Sequence, residues 1–111
     1  MEWEIVYCND DVQEAILAFP AGLQARYVHL TERMLEFGPN LGMPHTRSMG
    51  KGLFELRLKS KEGIGRVFFC ILSARRMMML HVIVKKSAKT PAKELRVARE
   101  RMKEAQADAD A

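Results

Sequence analysis

KGLFELRLK (51–59), EGIGRVFFCIL (62–72) and RRMMMLHVIVKK (75–86) are three apolar runs of strand length, separated by short polar links. The links, Ser60-Lys61-Glu62-Gly63 and Ser73-Ala74-Arg75-Arg76, suit only antiparallel hairpins, because a parallel return needs about a dozen residues or more. The stretch therefore predicts a three-stranded antiparallel meander. Side-chain alternation puts Phe54, Leu56 and Leu58 on one face of the first strand, with Glu55, Arg57 and Lys59 on the other. In the second strand Val67, Phe69 and Ile71 lie opposite Arg66, Phe68 and Cys70, and in the third Leu80, Val82 and Val84 lie opposite His81, Ile83 and Lys85. One sheet face is then wholly apolar. A register that brings the polar sets together gathers Glu55, Arg57, Arg66, His81 and Lys85 on the other.

Working outward toward the N-terminus, Trp3 to Cys8 (WEIVYC) reads as a short strand. Asn9, Asp10 and Asp11 are good helix caps, and Asp10 has Gln13 three residues on, as in a capping box. Val12, Ala15, Ile16 and Phe19 then recur with the period of an amphipathic helix. Pro20 separates this helix from a longer one whose apolar face is Leu23, Tyr27, Leu30 and Met34, and Gly38-Pro39 stops it. The pair should pack as a helical hairpin on the apolar sheet face. Residues 39–50, rich in glycine and proline, read as a loop carrying His45 and Arg47.

Beyond the meander, Thr90 and Pro91 look like the N-cap and first residue of a last helix running to about Met102, with Leu95, Ala98, Met102 and Ala105 as its apolar stripe. The acidic end, 104–111, is expected to fray. The predicted fold class is α+β, in the order β-α-α-β-β-β-α. The 111 residues form a single domain, with 48% apolar and 29% charged residues as in a globular protein. No run approaches the ~18 apolar residues of a membrane span. The acidic start MEWE does not resemble a signal peptide, and Cys8 and Cys70 lack metal or redox spacing, so a cytoplasmic protein with two buried, reduced thiols is expected.

Charge is segregated along the chain. Residues 1–46 carry a net −5, residues 47–103 a net +12 and residues 104–111 a net −3. A basic block of that size on a small domain points to a polyanionic partner, foremost nucleic acid.

The histidines, at positions 29, 45 and 81, are too scattered for a metal motif, and neither a phosphate-binding glycine loop nor a nucleophile elbow is present. No cofactor is implied. The polar face of the meander holds what RNA cleavage without a metal requires: a base for the 2′-hydroxyl, cations for the phosphate, and an acid for the leaving 5′-oxygen. The candidate catalytic residues are Glu55, Arg57, Arg66 and His81. Arg47, Lys51, Lys59, Lys85, Lys86 and Lys89 are candidate phosphate contacts. In one arrangement Glu55 is the base and His81 the acid. In the other, Glu55 only orients Arg57 and Arg66, and proton transfer is left to His81 and a lysine. A purely structural arrangement has Glu55 in a cross-strand ion pair with Arg57 or Arg66.

Taken together, KGLFELR (51–57), GIGRVFF (63–69), LHVIVKK (80–86) and KTP (89–91) resemble the RelE/HigB/ParE superfamily of bacterial toxins, in its phage-derived HigB-like branch. The similarity runs over residues 3–104 in element order. It implies a sheet flanked by helices and cleavage of mRNA on the ribosome. It also implies neutralisation by a small antitoxin, usually of helix-turn-helix type, within a toxin–antitoxin hetero-oligomer. By position, Arg66 matches the superfamily's phosphate-binding arginine. Glu55 and Arg57 fall where RelE has a lysine pair, and RelE's late catalytic tyrosine has no counterpart, since Tyr7 and Tyr27 both come early. Two other functions remain on the same fold: a ParE-like gyrase poison and a non-catalytic RNA- or ribosome-binding module.

Overall fold

The meander is the centre of a five-stranded sheet. In the computed structural model, which describes residues 2–85 and 90–110, the elements are β1 (Glu4–Tyr7), α1 (Asp10–Leu17), α2 (Ala21–Phe37), β2 (Thr46–Gly50), β3 (Leu53–Ser60), β4 (Gly63–Leu72), β5 (Arg76–Lys85) and α3 (Ala92–Asp110). The strand order is β1-β5-β4-β3-β2. Neighbours in the β2-β3-β4-β5 run are antiparallel, and β1 lies parallel to the outer side of β5, reached through the two helices.

Two features depart from the sequence-based expectation. β2 forms within the stretch read as a loop, pairing Thr46, Arg47 and Ser48 with Leu56, Glu55 and Phe54 before a register shift near Gly50. α3 does not stop near Met102 and fray, but continues to Asp110. Alanines at 105, 107 and 109 are strong helix formers, and they carry the helix through the acidic end.

Local chemistry accounts for the element boundaries. Asn9, rather than an Asp10–Gln13 box, caps α1, its Oδ1 accepting the Val12 N–H at 3.0 Å. α2 follows Pro20, which offers no side-chain cap. Glu62 in the β3–β4 turn supplies one instead: its Oε1 accepts the Gly22 N–H at 2.6 Å and sets a carboxylate at the positive end of the helix. Gly38, at φ 95°, ends α2 by donating to the Met34 carbonyl at 2.8 Å. The β4–β5 turn has Ala74 at φ 61° and Arg75 at φ 55°, the paired left-handed geometry of tight hairpin turns.

Both sheet faces are covered, each by its own core. On one face α1 and α2 bury Val12, Ile16, Leu23, Leu30 and Met34 against Leu56, Leu58, Val67, Phe69, Met77 and Met79. The Tyr7 and Tyr27 hydroxyls meet there at 2.9 Å. The other face is not an open charged surface. At one end α3 lays Ala98 and Met102 over Leu53, Phe68, Cys70, Leu72, Leu80 and Ile83.

A bulge in β5 allots residues to these cores. Phe68 pairs with His81 but Phe69 pairs with Met79, leaving Leu80 as the extra residue. Leu80 therefore joins the α3 core, whereas alternation had put it on the face of Val82. Val84 remains exposed. Both cysteines are free thiols. Cys70 is buried, and Cys8 is half-buried, short of the expected full burial.

Candidate active site

The register brings the predicted polar residues together on the α3 side of the sheet. One row across four strands reads Arg47, Glu55, Phe68, His81, and the next reads Arg57, Arg66, Ile83. Residues two apart on a strand share a face, so Glu55 and Arg57 project to the same side of β3. α3 covers the Phe68 end of this face.

Glu55 and Arg66 form the centre. The Arg66 Nη1 donates to Glu55 Oε2 at 2.9 Å, and the two side chains are only 1% and 2% exposed. The cross-strand pair foreseen as an alternative to catalysis therefore exists, and it is buried rather than at the surface. The other oxygen, Oε1, faces the half-exposed Arg47 at 3.8 Å. Thr90 Oγ1, just ahead of α3, donates to Oε2 at 3.5 Å. Arg57 lies directly opposite Arg66 in register. The guanidinium groups of Arg66 and Arg47 therefore flank the one carboxylate, and with Arg57 opposite Arg66 in register the three arginines outnumber the acid by two.

His81 lies two strands from Glu55, with Phe68 between them, so their backbones are about 10 Å apart at the usual strand spacing. Its ring stacks near Phe68, with centroids 6.4 Å apart. Nε2 is 2.8 Å from Glu94 Oε2, and Nδ1 is 3.4 Å from Arg101 Nη1, which also donates to the Leu80 carbonyl at 2.8 Å. A neutral imidazole that donates from Nε2 to Glu94 and accepts at Nδ1 satisfies both contacts. Glu94 and Arg101 fix the plane of the ring from one helix and tie α3 to the sheet.

Around this centre the predicted cations occupy varied positions. Arg47 is on the edge strand β2 rather than in a loop. Lys51 is exposed in the β2–β3 turn at φ 54°, and Lys59 is exposed near the end of β3. Arg57 is half-buried, and its backbone N–H is held by the His45 carbonyl at 2.8 Å. Lys85 closes β5 opposite Ile64, while Lys86 and Lys89 lie outside the described residues.

Sequence reading missed Glu94, Arg101 and Thr90. The signal for the first two was present: they are seven residues apart on α3 and flank the stripe of Leu95, Ala98 and Met102, so both lie where that stripe meets the sheet. Thr90 was read as a helix cap, but the helix begins at Ala92, where the Pro91 carbonyl accepts the Glu94 N–H at 3.1 Å, and the Thr90 hydroxyl turns to Glu55.

Among the described residues no group of three histidine, cysteine or acidic side chains is placed to hold a metal ion, and no helix is long and apolar enough to cross a membrane. The family description "Phage derived protein Gp49-like (DUF891)" matches residues 14–103, a span that holds both rows of the cluster and most of α3. No curated protein matches the chain.

Proposed function

The chain belongs to the phage-derived Gp49-like protein family, which is related to toxin–antitoxin modules, and from that premise we propose that it is the toxin of such a module, an endoribonuclease that cleaves mRNA on the ribosome. The observation that carries this reading is the excess of arginine over acid at Glu55, on the same sheet face as an imidazole held by a carboxylate two strands away. Phosphate is the ligand whose charge and geometry match clustered arginines, since each fork can engage two oxygens.

In the proposed mechanism Arg57 and Lys59, on the part of the face that α3 leaves open, hold the scissile phosphate and its neighbour. Arg66, fixed by Glu55, adds positive potential beneath them and stabilises charge as it builds on the phosphoryl oxygens. The 2′-hydroxyl attacks the adjacent phosphorus, its proton leaves to a base, and the 5′-oxygen departs with a proton from an acid. The products are a cyclic phosphate and a free 5′-hydroxyl. No step in this scheme calls on a metal ion.

The burial of Glu55, with a guanidinium facing each oxygen, supports the arrangement in which it positions Arg66 rather than taking the proton itself. Proton transfer then falls to His81 and a lysine: His81, held at Nε2 by Glu94, takes the 2′-hydroxyl proton at Nδ1 once the 3.4 Å contact to Arg101 gives way, and the lysine protonates the leaving 5′-oxygen.

The test is cleavage of mRNA on programmed ribosomes by purified protein, in the magnesium buffer that keeps the ribosome assembled. Fragments ending in a cyclic phosphate are the expected result. Intact mRNA, with gyrase-dependent DNA damage in cells instead, would replace this reading with the gyrase-poison one.

A further inference from the structure

Among the described residues nothing covers the outer side of α2, a groove on the face of the molecule away from the arginine cluster. α2 buries Leu23, Tyr27, Leu30 and Met34 against the sheet. Its opposite side presents Ala21, Ala25, Val28 and Leu35 in one line to solvent, and Val28 is 49% exposed. Phe37, 69% exposed, continues the apolar surface past the end of the helix. Two depressions run along this side and share Glu32 as a common wall. One lies over Ala21, Ala25 and Val28, and the other lies between Leu35, Phe37 and Trp3.

The polar groups around the groove are chiefly acidic. Glu2, Glu32 and Glu36 line its second half, and Arg75, which faces them, has its guanidinium 5.6 Å from the Trp3 ring centroid. The chain up to residue 46 carries a net −5 against +12 for residues 47–103, so this side differs in sign from the nucleic-acid side. A polyanion is repelled here. An apolar strip with small residues at Ala21 and Ala25 admits a second helix at close range. The 17 residues of α2 span about 25 Å, room for a partner helix of about four turns.

We propose that this groove is the docking surface for the antitoxin, and that the antitoxin presents to it an amphipathic helix with an apolar stripe flanked by lysine and arginine. The inference rests on the toxin reading above for the identity of the partner. It adds where the partner sits and what chemistry it brings.

The experiment uses the protein encoded by the reading frame beside this one, titrated calorimetrically into the full chain. The triple substitution Val28→Arg, Glu32→Arg, Glu36→Arg changes only exposed positions, so its melting temperature and the growth arrest it causes when expressed alone should match the parent. Its affinity for the neighbour-encoded protein should fall about 100-fold or more, because it removes an apolar anchor and reverses the charge that selects the partner. Arg96→Glu with Lys103→Glu on α3 should leave affinity within about threefold, as expected for sites remote from an interface.

Unchanged affinity in the triple variant would overturn the proposal, as would a loss confined to the α3 variant. A free protein that is dimeric, and that the triple substitution makes monomeric, would assign the groove to a second copy of this chain. Failure of the neighbour-encoded protein to bind the parent would also overturn it. Growth arrest by the parent alone tests the toxin reading separately.

Discussion

Arg66 donates to Glu55 at 2.9 Å inside a sheet face where neither side chain keeps more than 2% of its surface. An ion pair so deeply buried is not a large source of stability, because the desolvation of both charges offsets their attraction. Removing one partner is costly, since the other charge is left buried. Glu55→Gln should therefore destabilise the protein by about 3 kcal/mol in urea unfolding, and the joint change Glu55→Leu, Arg66→Met should recover most of that loss. Equal destabilisation by the single and double variants would show that the pair is not coupled.

The same relationship governs how the site must be probed. Arg66→Ala leaves Glu55 without its guanidinium, so a loss of cleavage in that variant mixes chemistry with folding. Arg57→Ala and Lys59→Ala are cleaner, since Arg57 is only half-buried and Lys59 is exposed. Each should reduce the slope of log affinity against log salt for single-stranded RNA by about 0.7, the value for one released counterion. A slope unchanged in both would place the RNA elsewhere on the molecule.

His81 and Glu94 make a second prediction about roles. Glu94→Gln keeps a hydrogen-bond partner for the ring but removes the charge, and Glu94→Ala removes both. If His81 transfers the proton, His81→Gln should lower single-turnover cleavage by about 10²-fold or more, the range for acid–base groups. Glu94→Ala should lower it less, and Glu94→Gln should recover most of that loss, because the amide can still hold the ring by a hydrogen bond. A Glu94→Ala variant that cleaves at the parent rate would reduce Glu94 to an anchor for α3.

The hairpins and both helices of the N-terminal half were legible because link length and periodicity constrain them directly. Ser60 to Gly63 and Ser73 to Arg76 are too short for anything but a tight turn. β2 was not legible, since Thr46-Arg47-Ser48-Met49-Gly50 lacks an alternating apolar pattern and derives its strand character from pairing with β3. The bulge at Leu80 was hidden for a related reason. In Met77-Met78-Met79-Leu80 every side chain is apolar, so alternation carries no contrast and a one-residue shift leaves no trace. The residue types of the site were visible, but the burial of Glu55 and Arg66 was not. It depends on how Thr90 and α3 lie over β3 and β4.

Buried neutral groups set the alkaline limit of the fold. Burial pushes the Cys70 thiol up to about 11 from an ordinary value of 9.0, and also raises Cys8. Burial and the hydrogen bond to Tyr7 raise Tyr27 well above the ordinary value for a tyrosine. A raised folded-state value means that the unfolded chain ionises first. Stability is then complete below the unfolded value and falls as pH rises toward the folded one. Urea midpoints should hold steady through neutral pH and decline progressively above about pH 9, with Tyr27→Phe flattening the part beyond about pH 10. At pH 7 Cys70 should resist thiol reagents until the protein unfolds. A midpoint that rises with pH in that range would contradict the assignment.

If the open half of the α3 face cleaves RNA, ribosome-bound mRNA is the substrate on which that cleavage is read. Purified parent protein and Arg57→Ala should be incubated with initiated ribosomes in magnesium buffer, and the mRNA ends mapped by primer extension. The expected result is discrete cleavage by the parent, with the rate lowered about 10²-fold in Arg57→Ala, the cost typical of losing one preorganised contact to the developing charge. Undamaged mRNA with the parent protein, or cleavage by Arg57→Ala at the parent rate, would contradict the account.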